Sequence, residues 1–195
     1  MWVMLISSVL VVAFALERWW TLFKIGSFDS GTAERVKQCI RQGQIKEAIA
    51  LCAKNQGFIS HSIEVALNAS NFPREEMESI FALYRMKLQG LLNKHLALFG
   101  TLAFIGPLLG LLGTVLGVIR AFRDLALSGS GGPTIVAAGI AEALIATAAG
   151  ITVAVSSSIL YNYFTGRVRT IVQTYDLIAQ EVAILVYTGS DKGRR

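Results

Sequence analysis

Cysteine, histidine and charge are all scarce in this chain. Of 195 residues, two are Cys and two are His. Cys39 and Cys52 lie in a polar region without CxxC spacing, which excludes a disulfide framework and a thiolate metal signature. They read as core or surface thiols. His61 and His95 stand alone, neither at metal-ligand spacing from another ligand type, so no metal site is expected. No serine has a nucleophile-elbow context. The glycine cluster in Ser128-Gly-Ser-Gly-Gly-Pro133 is not followed by Gly-Lys-Ser/Thr, so it reads as a flexible turn rather than a phosphate cradle. The residues therefore carry no enzyme constellation and call for no cofactor. A cleavable signal is also not expected. The first apolar stretch lacks a basic start and ends in Glu17-Arg18-Trp19-Trp20, not in a small-residue cleavage site.

What is abundant is apolar surface. The chain is 53% hydrophobic and 16% charged, with a mean hydropathy of +0.55. That is too apolar for an ordinary soluble domain and points to a bilayer. The net charge of +5 invites a nucleic-acid partner, but the basic residues form no stripe. They fall outside the apolar segments, as in a membrane protein, so no nucleic acid is expected.

Three spans follow. The first is 1–23, and its uncharged part, sixteen residues, reaches only about 24 Å at 1.5 Å per residue. Against a hydrocarbon core of about 30 Å, either Glu17 and Arg18 pair and sit low, or the protein begins upstream. Trp19, Trp20 and Phe23 resemble an aromatic belt. The second span is 96–119. The third, 134–164, is longer than a crossing needs and should tilt or protrude. A turn at 123–133 joins them. Ten Lys and Arg lie between Lys24 and His95 and five after Phe164, against only Arg120 and Arg123 between spans two and three. Positive-inside bias then puts 24–72 and the C-terminal tail in the cytoplasm, with the N-terminus and turn outside.

The polar parts read as helical. Thr32–Ile40 and Ile45–Cys52 carry apolar residues at helical spacing, broken by Gly43 and Gly57. A helix capped by Asn71, with Pro73, Glu75 and Glu76 in its first turn, is expected to run unbroken over 73–122, because Gly90 is only a weak breaker. In the tail, Val168, Ile171, Val172, Tyr175, Ile178, Ala179, Val182 and Leu185 form one stripe that should pack on the long helix or on a neighbouring subunit. The fold class is thus an all-α integral membrane protein. It has three transmembrane helices, two of them extended into the cytoplasm, and a small helical cytoplasmic region.

Two segments carry the candidate site. In span two, Gly106, Gly110, Gly113 and Gly117 share one face, which suits close helix packing. Pro107 implies a kink or a freed carbonyl. Thr114 lies beside this face, though a lone Thr can simply bond its own helix. In span three, Glu142 is the only charge between Leu125 and Gly166. An intramembrane carboxylate usually marks an ion path; the alternative is that it is solvated near a headgroup boundary. Thr147, Gly150, Ala154 and Ser158 share a face next to that of Glu142, Ala146, Ala149, Val153 and Ser156. This broad small-and-polar side suits either a pore wall or a grip on a partner helix.

Gly106-Pro-Leu-Leu-Gly-Leu-Leu-Gly-Thr-Val-Leu-Gly-Val-Ile-Arg-Ala-Phe122 closely resembles the second-span signature of the ExbB/TolQ/MotA proton-channel family. Gly139-Ile-Ala-Glu-Ala-Leu-Ile-Ala-Thr-Ala-Ala-Gly150, with Tyr161-Asn162, resembles its third-span signature, and Leu16-Glu-Arg18 fits the end of its first. The wording leans towards ExbB. The resemblance implies a stator subunit of the bacterial inner membrane that assembles as a homo-oligomeric ring, commonly a pentamer. It also implies an ExbD/TolR-like single-span partner with a membrane aspartate, and a TonB/TolA-like periplasm-spanning protein driven by proton flow. By motif match, Thr114 and Thr147 fall on the family's pore threonines and Glu142 on its third-span glutamate, making the small-and-polar side a lumen wall. Ala154-Val-Ser-Ser-Ser158 departs from the Ala-Ile-Pro-Ala stretch of many relatives, and Gly106 stands where they often have Ala. Sodium coupling, a TolQ-like, gliding or flagellar stator, and a non-conducting scaffold are the alternatives.

Overall fold

The computed structural model describes residues 2–26, 30–55, 57–69, 73–128 and 132–192. Every element among them is an α-helix: α1 (Trp2–Gly26), α2 (Ser30–Arg41), α3 (Ile45–Lys54), α4 (Phe58–Asn68), α5 (Arg74–Asn93), α6 (Leu96–Ser128) and α7 (Gly132–Lys192). Among the described residues, three stretches are long and apolar enough to cross a membrane, Met4–Phe23, Leu96–Leu127 and Val136–Thr188. The protein is an all-helical membrane protein, as its apolar runs demand. The chain forms two compact units, one of 1–18 with 95–165 and the other of 19–94 with 166–195.

The unit of 19–94 and 166–195 has an ordinary soluble-type core. Helices α2 to α5 pack in sequence order, each on the next. Gly43, at φ +76°, makes the turn between α2 and α3 in the left-handed region that glycine enters without cost. Glu75 and Glu76 occupy the first turn of α5, where the helix dipole favours them; the expected cap, Asn71, lies outside the described residues. The tail stripe is buried from Val168 through Val182, while Leu185 is only half-buried and Val186 takes the inner position. Its centre is Tyr175, whose hydroxyl donates to the Phe81 carbonyl at 3.0 Å, so the stripe lies on α5 of the same chain. Two ion pairs flank it. Arg85 Nε reaches both oxygens of Asp176 at 2.9 and 3.0 Å, and Lys37 reaches Glu181 at 2.8 Å. Both Glu181 and Glu34 beside the Lys37 ammonium raise its pKa.

Two boundaries differ from the sequence expectation. The helix expected to run unbroken over 73–122 is two helices, interrupted at Lys94–His95. Gly90 lies inside α5 with open space around it; the break falls instead on His95, at φ 63°. The expected turn at 123–133 is also largely helical. α6 continues to Ser128 and α7 begins at Gly132, because Arg120, Arg123 and Asp124 are polar without being helix breakers. α7 then runs through the third span into the tail as one helix of 61 residues.

Candidate functional site

In the unit of 1–18 and 95–165, α6 and α7 run antiparallel with their backbones almost in contact. The glycines make this possible. A Cβ on Gly106 would lie 3.0 Å from both the Ala154 Cβ and the Gly150 carbonyl oxygen. One on Gly113 would lie 2.8 Å from the Ala146 Cβ, and one on Gly117 2.6 Å from the Ala143 Cβ. Gly139 answers from the other helix, with its Cβ position 2.5 Å from the Ala121 Cβ. The tightest point is Gly150, whose Cβ would meet the Gly106 oxygen at 2.6 Å and the Gly110 Cα at 2.9 Å. Small faces of this kind let dispersion and interhelical hydrogen bonds replace a hydrophobic drive that lipid does not supply.

At the centre of this contact Thr147 Oγ1 donates to the Gly110 carbonyl at 3.0 Å. That carbonyl is also the one to which the Thr114 N–H is directed in a regular helix. The Thr114 hydroxyl turns to its own helix and donates to the Leu111 carbonyl at 2.7 Å. Thr147 thus bonds across to α6 at Gly110, while Thr114, one turn further along α6, bonds only within its own helix. Pro107 lies inside α6 and has no N–H, so the Ala103 carbonyl lacks its usual helical partner.

Glu142 is exposed, with no hydrogen bond or ion pair to a described residue. It lines an open pocket of about 480 Å³ with Arg120, Asp124, Gly117, Ala138 and Gly139. The small-and-polar side of span three is divided in two. Gly150 and Ala154 are buried and Thr147 half-buried against α6, whereas Thr152, Ser156, Ser158 and Asn162 are exposed. Part of the side read as a possible lumen wall therefore grips α6 within the same chain. Thr152 also borders a smaller pocket of about 260 Å³ between α1 and α7, with Met4, Ser8 and Val153. No group of three or more His, Cys, Asp or Glu able to hold a metal occurs among the described residues.

A second cluster was not legible from the sequence. Arg18, 2% exposed, binds Glu17 Oε1 at 2.8 Å, so the two adjacent charges that end span one do pair. His95 Nδ1 lies 2.9 Å from the other oxygen, Oε2. Its ring lies 5.1 Å from that of Phe14. A left-handed backbone costs a non-glycine residue about 1–2 kcal/mol, and His95 accepts that conformation where these contacts hold it. Only an unusual φ or a spatial neighbour identifies this histidine; its spacing in the chain carries no signal.

Residues 45–177 match the family described as the MotA/TolQ/ExbB proton channel family. The biopolymer transport protein ExbB of Pseudomonas putida is 30% identical over 160 residues, covering 74% of this chain and 48% of that protein. The Tol-Pal system protein TolQ of Pseudomonas aeruginosa is 38% identical over 96 residues, 49% of this chain and 42% of the relative. The chain spans about half the length of the curated relatives it matches. The solved structure of MotAB from C. jejuni shares the fold, with a TM-score of 0.72 at 17% identity, covering 91% of this chain and 69% of that one. The matched stretch takes in both helices of the glycine-threonine contact, and the chain belongs to the MotA/TolQ/ExbB proton channel family.

Proposed function

We propose that this protein is a ring-forming, ExbB-like stator subunit of a bacterial inner membrane. With an ExbD/TolR-like partner it conducts protons and uses the proton motive force to drive a TonB/TolA-like periplasm-spanning protein. The observation that carries this is Glu142, an exposed carboxylate within an apolar span, in a pocket that also holds Arg120 and Asp124. One charge crossing 100 mV gains about 2.3 kcal/mol, and a carboxylate is the group that can take part by changing protonation. In this reading Thr114 and Thr147 lie beside the path and Glu142 tunes it electrostatically. Gly106, Pro107, Gly110, Gly113, Gly117 and Gly150 hold the helix pair that carries them. The ring is a homopentamer around the partner's membrane helices. The basic segment 24–95 and the tail face the cytoplasm, so that α5 and the end of α7 extend on that side, and the N-terminus is periplasmic.

The engagement of Thr147 by the Gly110 carbonyl favours one second reading, a scaffold in which the threonine is structural. Proton flux into liposomes containing this chain, with and without an ExbD-like partner, separates the two. Partner-dependent flux that falls in Glu142→Gln supports the motor. Flux from the partnered complex that is indifferent to Glu142→Gln removes the carboxylate from the path, and a well-assembled complex without flux favours the scaffold. Sodium coupling is tested by replacing sodium with potassium at fixed pH.

A further inference from the structure

Helix α5 and the tail of α7 each carry a second stripe that their own chain leaves uncovered. On α5 it is Ser79, Leu83, Met86, Gly90 and Asn93, and on α7 it is Thr170, Gln173, Leu177, Gln180 and Ile184, all of them exposed. Both stripes advance by alternating steps of three and four residues. That is the repeat of a seam between long helices, about 3.5 residues. Exposed Leu and Met are ordinary when scattered singly; this spacing and composition are not. Six of the twenty residues of α5 are charged, as are Arg167, Arg169, Asp176 and Glu181 on α7, yet no charge falls on either stripe. The large apolar side chains on them, Leu83, Met86, Leu177 and Ile184, are 51, 70, 62 and 56% exposed.

The stripes lie on opposite flanks of one helix pair. α5 and α7 meet at Phe81 and Tyr175, with ring centroids 6.5 Å apart and the Tyr175 hydroxyl on the Phe81 carbonyl. They run antiparallel, since Arg74 and Glu75 at the start of α5 come near Tyr187. Leu83 follows Phe81 by two residues and Leu177 follows Tyr175 by two, and two residues turn a helix by about 200°. Each stripe therefore faces away from the other helix. The charged groups sit between the stripes. Arg85 with Asp176 and Arg74 with Glu78 are paired inside the chain and line an open pocket of about 480 Å³.

We propose that the two stripes are the halves of one contact between copies of this chain, the α5 stripe of one copy lying on the α7 stripe of the next. On the ring-forming reading above, on which this rests, the contact closes the ring in the unit of 19–94 and 166–195. A second copy is the occupant because the stripes match. Neither carries a charge that would repel the other or select a charged partner. A ring axis along the helices keeps every copy at one height, so Leu83 of one copy and Leu177 of the next come level to within about one turn. Ser79, Gly90 and Thr170 are small enough to let the helices approach, and the amides of Asn93, Gln173 and Gln180 set the register. A contact made by two different surfaces is head-to-tail, and it continues from copy to copy until the rotation closes. The product is a ring of alternating α5 and α7 helices.

Disulfide trapping on the full chain in proteoliposomes tests this. Leu83→Cys is combined in turn with Gln173→Cys, Leu177→Cys and Gln180→Cys in a Cys39→Ala background, with Cys52 left in its core. All four positions are exposed, so the substitutions leave the packing alone. A disulfide needs Cα atoms within about 7 Å, and the three pairings cover a turn on either side of the expected register. Oxidation of at least one pair is expected to give a ladder of trimers and larger species, and each single-cysteine variant is expected to give none. No ladder from any pair overturns the proposal, whether lipid or another protein covers the stripes. So does a strong dimer from a single-cysteine variant, which means that like stripes meet. Native mass spectrometry of the same samples separates the two failures. A ring-sized mass without a ladder overturns this contact and leaves the ring reading standing, whereas a monomer mass removes both.

Discussion

Alanine at Gly150 and alanine at Gly166 are the same chemical change in the same helix, and the structure assigns them opposite signs. At Gly150 the new Cβ meets only backbone: the Gly106 oxygen at 2.6 Å, the Gly110 Cα at 2.9 Å and the Gly110 nitrogen at 3.0 Å. No rotamer change relieves that. Restoring the oxygen contact from 2.6 Å to an ordinary 3.4 Å requires α6 and α7 to part by about 0.8 Å. The parting also loosens Gly113 on Ala146 and Gly117 on Ala143. Overpacking of this kind costs about 1–3 kcal/mol, and replacing a helical Gly by Ala returns only about 0.5–1 kcal/mol. Gly150→Ala should therefore destabilise the chain by about 1–2 kcal/mol. At Gly166 nothing lies within 4 Å of the Cβ position, so Gly166→Ala keeps the full gain of about 0.5–1 kcal/mol. Reversible unfolding in mixed micelles, followed by tryptophan fluorescence, measures both. If Gly150→Ala proves as stable as Gly166→Ala, the close backbone contact does not exist in the folded protein.

Two further outcomes test the hydroxyl and the thiols. Thr147→Val removes the donor to the Gly110 carbonyl and should cost about 0.6 kcal/mol, the average for such a bond between membrane helices; Thr147→Ser should retain most of it in the same unfolding assay. Burial, and then the charge of Glu64, push the Cys52 thiol from 9.0 up to about 11. At pH 8 a thiol reagent should therefore modify the half-buried Cys39 while sparing Cys52 until the chain unfolds. The raised folded pKa means that the thiolate favours the unfolded chain. The Cys52 contribution is fully retained below about pH 9 and is lost as pH rises towards 11, by at most about 3 kcal/mol. Cys52→Ala should remove the part of the decline that begins near pH 9, while Tyr175, pushed up to about 12 by burial, keeps the part that begins near pH 10.

The parts of this fold that the sequence made legible are those fixed by local composition. Uncharged runs gave the three spans, and glycines at intervals of four, three and four gave the face on which α6 meets α7. The spacing of Val168, Ile171, Val172 and Tyr175 gave the buried stripe of the tail, although it left open whether the same chain or a neighbour would cover it. What stayed hidden depends on contacts distant in sequence. Nothing near residue 95 signals a break, and the groups that His95 meets there, Glu17 and Phe14, are far away in the chain. The hydroxyl of Thr147 could relay an ion or glue a helix on equal chemical grounds, and only the position of the Gly110 carbonyl shows where it points.

That position constrains the proposed function. Where Gly150 and Gly110 face each other, the two helix backbones are too close for a water molecule to stand between them. An ion path in the proposed ring therefore does not run between α6 and α7 of one chain. Under the proposed function it is expected instead where Glu142 meets the pocket holding Arg120 and Asp124. On this reading the threonines differ in role. Thr147 fixes the spacing of the helices that form the wall, and Thr114, only half-buried and bonded within its own helix, has a hydroxyl that can turn towards a passing proton without breaking a contact between helices. Thr114→Val should then lower flux with little loss of stability, and Thr147→Val should lower both. Equal stability losses in the two variants would refute that division.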